Sequence, residues 1–118
     1  EGGEISYNYD KQKLKDIVGK YNGETGNMSE EVYFHENYPM FIYKETYKYN
    51  TVMYDKKFDD KKTKIFKERY YFDSNKNLIK YIDQKGNEIT DEKKLQNISI
   101  EMKKEIVRLL QKRNSSKK

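Results

Sequence analysis

Residues 68–83 read ERYYFDSNKNLIKYID, and residues 30–44 read EEVYFHENYPMFIYK. With Phe34 set on Phe72, Glu30 meets Glu68, Tyr33 meets Tyr71, Asn37 meets Asn75, Met40 meets Leu78, Phe41 meets Ile79 and Tyr43 meets Tyr81. A weaker third copy, ISYNYDKQKLKDIV at 5–18, sets Tyr9-Asp10 on Phe72-Asp73 and Leu14 near Leu78, with a turn one residue shorter. Internal repeats are read before anything else because they decide the fold. Tyr, Phe and Ile favour strands. The Asp, Asn, Ser, Lys and Pro between them bond their own backbone or preset φ, so each copy reads as a β-hairpin. Pro39 has no amide to donate and belongs at the turn or the start of a strand. The run Lys13–Val18 lacks clean alternation, and a short helix over 10–20 competes with a strand there; the other two copies favour the hairpin.

Three hairpins in series predict an antiparallel meander of about six strands, since consecutive strands usually neighbour each other. The stretch NGETGN (22–27) is a glycine-rich turn and DKKFDDKKTK (55–64) a charged loop. The strand from Met40 is expected to run to about Tyr54, with a bend or bulge near Asn50. Alternation puts Phe41, Tyr43, Glu45, Tyr47 and Tyr49 on one side of that strand, and Met40 and Ile42 on the other. In the next strand, Phe66, Glu68, Tyr70 and Phe72 share a side, with Ile65 and Tyr71 opposite.

No aromatic residue follows Tyr81. Leu95, Ile98, Met102, Ile106 and Leu109 recur every three or four residues, broadened by Val107 and Leu110, which predicts one helix over 91–113. Thr90-Asp91-Glu92 suits its start and Lys112-Arg113 its end. Residues 114–118 read as a frayed tail. The predicted fold is therefore mainly β (α+β): a single domain over 1–113, with hairpin repeats over 1–90 and the helix packed on the sheet.

Composition limits the chemistry. The 118 residues contain no Cys and one His, so thiolate chemistry is excluded and a zinc site would need mostly carboxylates; neither metal nor cofactor is expected. The net charge of +5 belongs to residues 91–118, with nine Lys/Arg against four Asp/Glu; residues 1–90 carry sixteen of each. A polyanion-binding surface over the repeats is therefore disfavoured. No stretch is long and apolar enough to span a bilayer as a helix. The chain opens at Glu1 without a methionine, as a processed chain whose leader has been removed would.

Glu45 and Glu68 each sit in an aromatic strand face, where desolvation would raise the carboxyl pKa. Paired at a suitable distance, they could serve a small hydrolase. Partners such as Arg69, a lysine or tyrosine hydroxyls would make them structural instead. His35, beside the second turn, reads as an exposed turn residue. Gly23-Glu24-Thr25-Gly26 lacks the Lys-Ser/Thr ending of a phosphate loop and reads as a turn. Tyr43, Tyr47, Tyr49, Tyr70 and Arg69 are the candidate ligand-binding residues. Tyr47 and Tyr49, interleaved with lysines, also permit single-stranded nucleic-acid binding.

The segments EGGE (1–4), YNGETG (21–26), MFIYKETYKYN (40–50) and KIFKERYYF…LIKYID (64–83) resemble an uncharacterised family of exported bacterial proteins, many of them lipoproteins. Members carry a stretch like E-x-R-Y-Y-F, then a turn and L-I-R-W. Here Glu68-Arg69-Tyr70-Tyr71-Phe72 spaces the glutamate differently, and Lys80-Tyr81 replaces Arg-Trp. The resemblance covers most of residues 1–90. It implies a secreted or envelope location, with membrane contact only through a lipid anchor outside this chain. The expected function is a non-enzymatic binding module for an unknown protein or glycan.

Overall fold

The computed structural model describes residues 2–116 and holds one seven-stranded antiparallel sheet in strictly sequential order. The strands are β1 (Gly2–Asp10), β2 (Lys13–Asn22), β3 (Gly26–His35), β4 (Tyr38–Lys48), β5 (Lys64–Phe72), β6 (Leu78–Ile82) and β7 (Glu88–Ile89), followed by helix α1 (Glu92–Ser116). Residues 10–20 are strand and turn, as the repeat predicted. The helix ends later than expected, at Ser116, so the expected frayed tail is partly helical; Lys117 and Lys118 lie outside the described residues.

The repeat has a structural signature beyond the hairpin. Pairing slips once in each: Asn8↔Asp16 is followed by Tyr9↔Leu14, Tyr33↔Phe41 by Phe34↔Pro39, and Tyr71↔Lys80 by Phe72↔Leu78. One extra residue therefore bulges from the second strand of each hairpin: Lys15, Met40 or Ile79. All three are exposed. A bulge restores the side-chain phase after an extra residue. It lets Leu14 and Ile17 both face the core, and so explains the broken alternation over Lys13–Val18. It also turns Met40 out to solvent, away from Ile42. Leu78 therefore corresponds to Pro39, not to Met40.

The first two turns each have two residues, Lys11-Gln12 (φ 51° and 73°) and Glu36-Asn37 (φ 51° and 69°). Positive φ at both central positions gives the twist that suits adjoining strands. The β5–β6 turn is longer: Asp73 Oδ1 accepts the amides of Asn75 and Asn77, each at 2.9 Å, with Lys76 at φ 68°. The same design recurs ten residues on. Asp83 Oδ1 accepts the amides of Lys85 and Asn87 at 3.0 and 2.8 Å, with Gly86 at φ 85°. This unforeseen fourth turn returns the chain as β7.

Strand β4 stops at Lys48 rather than near Tyr54. The Asn50 side chain donates to the Lys57 carbonyl (2.9 Å) and accepts from the Asp59 amide (3.1 Å), which folds the chain into a loop. Helix α1 begins with Asp91 Oδ2 accepting the Lys94 amide. Spanning about 37 Å at 1.5 Å per residue, it can cross a sheet whose outer strands are about 29 Å apart. Leu95, Ser99, Met102, Ile106 and Leu109 are buried, with Ile98 and Leu110 partly so. Val107 is half exposed instead of broadening the stripe. Facing the helix are Ile17, Val32, Ile42 and Tyr70, in register across β2 to β5, with Phe34, Phe72, Leu14 and Leu78 near the turns.

Leu109 is fully buried, so Leu109→Ala should cost about 2–5 kcal/mol in urea unfolding, while Val107→Ala should cost little. Gln12→Gly relieves a side chain held at positive φ and should stabilise the first hairpin by up to about 1 kcal/mol in the same assay, the left-handed strain removed less the extra entropy that glycine loses on folding.

Candidate functional site

The register links the faces that alternation left separate. Ile42 stands opposite Tyr70, on the helix side, and Phe41 opposite Tyr71, on the uncovered side. Glu45 pairs with Lys67, whereas Glu68 pairs with Lys44, so the two candidate carboxylates lie on opposite faces of the sheet. They cannot act together on one substrate, which removes the paired-carboxylate hydrolase. Glu45 accepts from Tyr43 OH (2.6 Å) and Tyr47 OH (2.8 Å), and these bonds hold its carboxyl below the usual range, contrary to the expected rise. Glu68 accepts from Tyr70 OH (3.0 Å) and Tyr81 OH (2.5 Å) on the helix side of the sheet and is partly exposed. Burial, followed by the charge of Glu68, raises the Tyr70 phenol far above its ordinary value. Tyr70 is a core residue and cannot be a surface ligand contact.

The uncovered face is aromatic at its centre. Tyr33, Phe41 and Tyr71 form a ladder across β3, β4 and β5, with ring centroids 5.9 and 5.0 Å apart. Lys80 Nζ lies 4.5 Å from the Tyr71 ring centre, and the Arg69 guanidinium carbon 5.0 Å from that of Tyr43. Tyr33 OH donates to Glu31, which raises the phenol to about 12. Burial, then the bond to Glu45, does the same for Tyr43. Of the candidate residues, Tyr43, Tyr47 and Arg69 share this face. Tyr49 lies past the end of β4, edge-on to Phe58 at 5.2 Å. Tyr33, Phe41 and Tyr71 were not singled out from sequence, although the aligned Tyr33–Tyr71 pair signalled two of them. His35 is exposed beside its turn, and Gly23–Gly26 is a turn closed by a 2.9 Å backbone bond. Among the described residues no cluster of three His, Cys, Asp or Glu could hold a metal, and no helix is long and apolar enough to cross a membrane.

A second polar group lies under the helix. Glu30 is fully buried on β3, opposite Gly19 on β2 and Lys44 on β4. Gly19 leaves room for the Tyr21 ring: an added Cβ there would lie 2.6 Å from the Tyr21 oxygen. Tyr21 OH donates to Glu30 Oε1 (3.0 Å). From the helix, Arg108 Nη2 approaches the same oxygen at 3.6 Å while its Nε donates to Glu105 Oε1 at 2.7 Å. Glu30 Oε2 is buried and meets no donor, so it can carry a proton of its own. Burial raises the Glu30 carboxyl to about 7, helped by the neighbouring Glu105 carboxylate that shares its proton; Arg108 holds Glu105 near 2.

No protein-family model, curated protein or solved structure matches the chain.

The Glu30 carboxyl gives a pH signature. Its folded pKa is raised, so its stabilising contribution is complete below the ordinary glutamate range and is lost as pH climbs through about 7. Thermal melting followed from mildly acidic to alkaline pH should show a fall between about 4.5 and about 7, levelling off above neutrality, that Glu30→Gln abolishes. The decline on strong acidification, where Glu105 is protonated, should remain in both chains.

Proposed function

We propose that this chain is a non-catalytic binding module, borne by an exported or envelope-anchored bacterial protein, whose uncovered sheet face docks a protein partner. One observation carries the reading: the Tyr33–Phe41–Tyr71 ladder lies on the face that the helix leaves open. Tyr, Phe and Arg are enriched at protein interfaces, and Tyr and Arg are frequent among the residues that dominate binding energy. Here they are already ordered by neighbours, which lowers the entropy lost on docking. The charged side chains of this face are close to balance: Glu4, Asp16, Glu31, Glu45 and Glu88 stand among Lys20, Lys67, Arg69 and Lys80. That balance favours a partner without strong net charge and disfavours single-stranded nucleic acid. A saccharide would need open ring faces, whereas Arg69 and Lys80 lie over Tyr43 and Tyr71.

The test is affinity selection from a displayed-protein library on the immobilised chain, followed by titration of each purified binder. Phe41→Ala and Arg69→Ala should each weaken a selected binder at least about tenfold, with melting temperatures little changed. Binders indifferent to both substitutions, or saturable binding of a neutral oligosaccharide on this face, would overturn the reading.

A further inference from the structure

The longest connection in the chain joins β4 to β5 through residues 49–63 and is tightly built. Two backbone bonds, Tyr49 N to Thr25 O and Met53 N to Glu24 O, each 2.9 Å, tie it to the β2–β3 turn. Asn50 stitches its two limbs together through Lys57 and Asp59. Tyr49 and Phe58 meet edge to face inside it. Yet the adjacent Met53 and Tyr54 are 54% and 72% exposed. A loop that orders one aromatic pair inward while holding two large side chains in solvent is built to present them.

Lysines flank this tip in sequence, and one carboxylate, Glu24, accepts the Tyr54 hydroxyl at 3.2 Å. Residues 48–64 contain six lysines and three aspartates. Among the described residues none of these lysines is in an ion pair, whereas Asp55 Oδ1 and Asp59 Oδ1 are engaged by the amides of Lys57 and Lys61. Met53 and the Tyr54 ring, exposed on a loop with an excess of lysine, match a surface that is negative outside and apolar just beneath. Nucleic acid would use the lysines and could stack on Tyr54, but it gives no role to an exposed methionine.

We infer that the 49–63 loop is a contact site for an anionic lipid surface, with Met53 and Tyr54 entering the interface and the flanking lysines facing the headgroups. The site is independent of the uncovered sheet face. The basic C-terminal helix is a competing source of attraction to anions, so the test separates the two.

Vesicles of phosphatidylcholine alone and with added phosphatidylglycerol are the probes, in co-sedimentation with the full chain at low and high salt. Binding should appear only with the anionic vesicles and weaken with salt. The double variant Met53→Glu/Tyr54→Glu and the variant Lys56→Gln/Lys57→Gln/Lys61→Gln/Lys62→Gln should each lower partitioning at least about tenfold. Lys103→Gln/Lys104→Gln on the helix should leave it unchanged. The chain has no Trp, so Tyr54→Trp adds a single reporter whose emission should shift to the blue on binding. The proposal fails if anionic vesicles are not bound or if the Met53/Tyr54 variant binds as well as the parent. It also fails if the helix variant abolishes binding, or if a single-stranded oligonucleotide displaces the vesicles and its own binding ignores Met53.

Discussion

A sheet made of sequential hairpins has two faces and, here, one helix to cover them. That shortage organises the molecule. The stripe from Leu95 to Leu109 removes one face from water, and Ile17, Val32, Ile42 and Tyr70 supply the apolar surface beneath it. The other face stays in solvent, so its aromatics cannot be core. They satisfy themselves laterally, ring against ring and hydroxyl onto carboxylate, as Tyr43 and Tyr47 do with Glu45. The same shortage explains why a chain with a hydrophobic fraction of 34% relies on tyrosine, which can cover apolar surface and still bond at its tip.

The helix also closes over charge. Glu30 and Lys44 face each other across β3 and β4 on the covered side, and Arg108 and Glu105 descend on them from α1. Buried ions gain little stability over apolar residues, but they penalise misplacement strongly. A helix shifted by one turn would carry Arg108 away from Glu30 and Tyr21 and bring Lys104, Glu105, Gln111 or Lys112 to its place. In that sense the cluster sets the helix's position along the sheet, while the leucines supply the adhesion.

Most of the fold was legible in the sequence because the hairpin sentence is written three times and the helix has a regular stripe. What escaped has physical causes. The bulges at Lys15, Met40 and Ile79 shift side-chain phase by one, and composition alone cannot distinguish an extra residue from a disordered pattern. The fourth turn, Asp83–Asn87, lacks the aromatic flanks that marked the others, although its Asp-x-x-Gly-Asn layout parallels Asp73–Asn77. The separation of Glu45 from Glu68 depended on inter-strand register, which neither strand encodes by itself. Glu30 was visible only as the partner of Glu68 in the repeat, and its burial comes from a helix more than sixty residues away.

Every strand pairs with its neighbour in sequence, so the sheet needs no distant segment in order to assemble. Loop closure for such hairpins is inexpensive, and each can form as soon as its own two strands are available. The exceptions are the contacts of the helix with the sheet, among them the Tyr7 hydroxyl donating to the Leu109 carbonyl at 2.7 Å across 102 positions and Arg108 reaching Glu30. The segment that covers the apolar side of the sheet therefore follows every strand in the chain. A paired sheet whose helix is not docked would expose that side to aggregation.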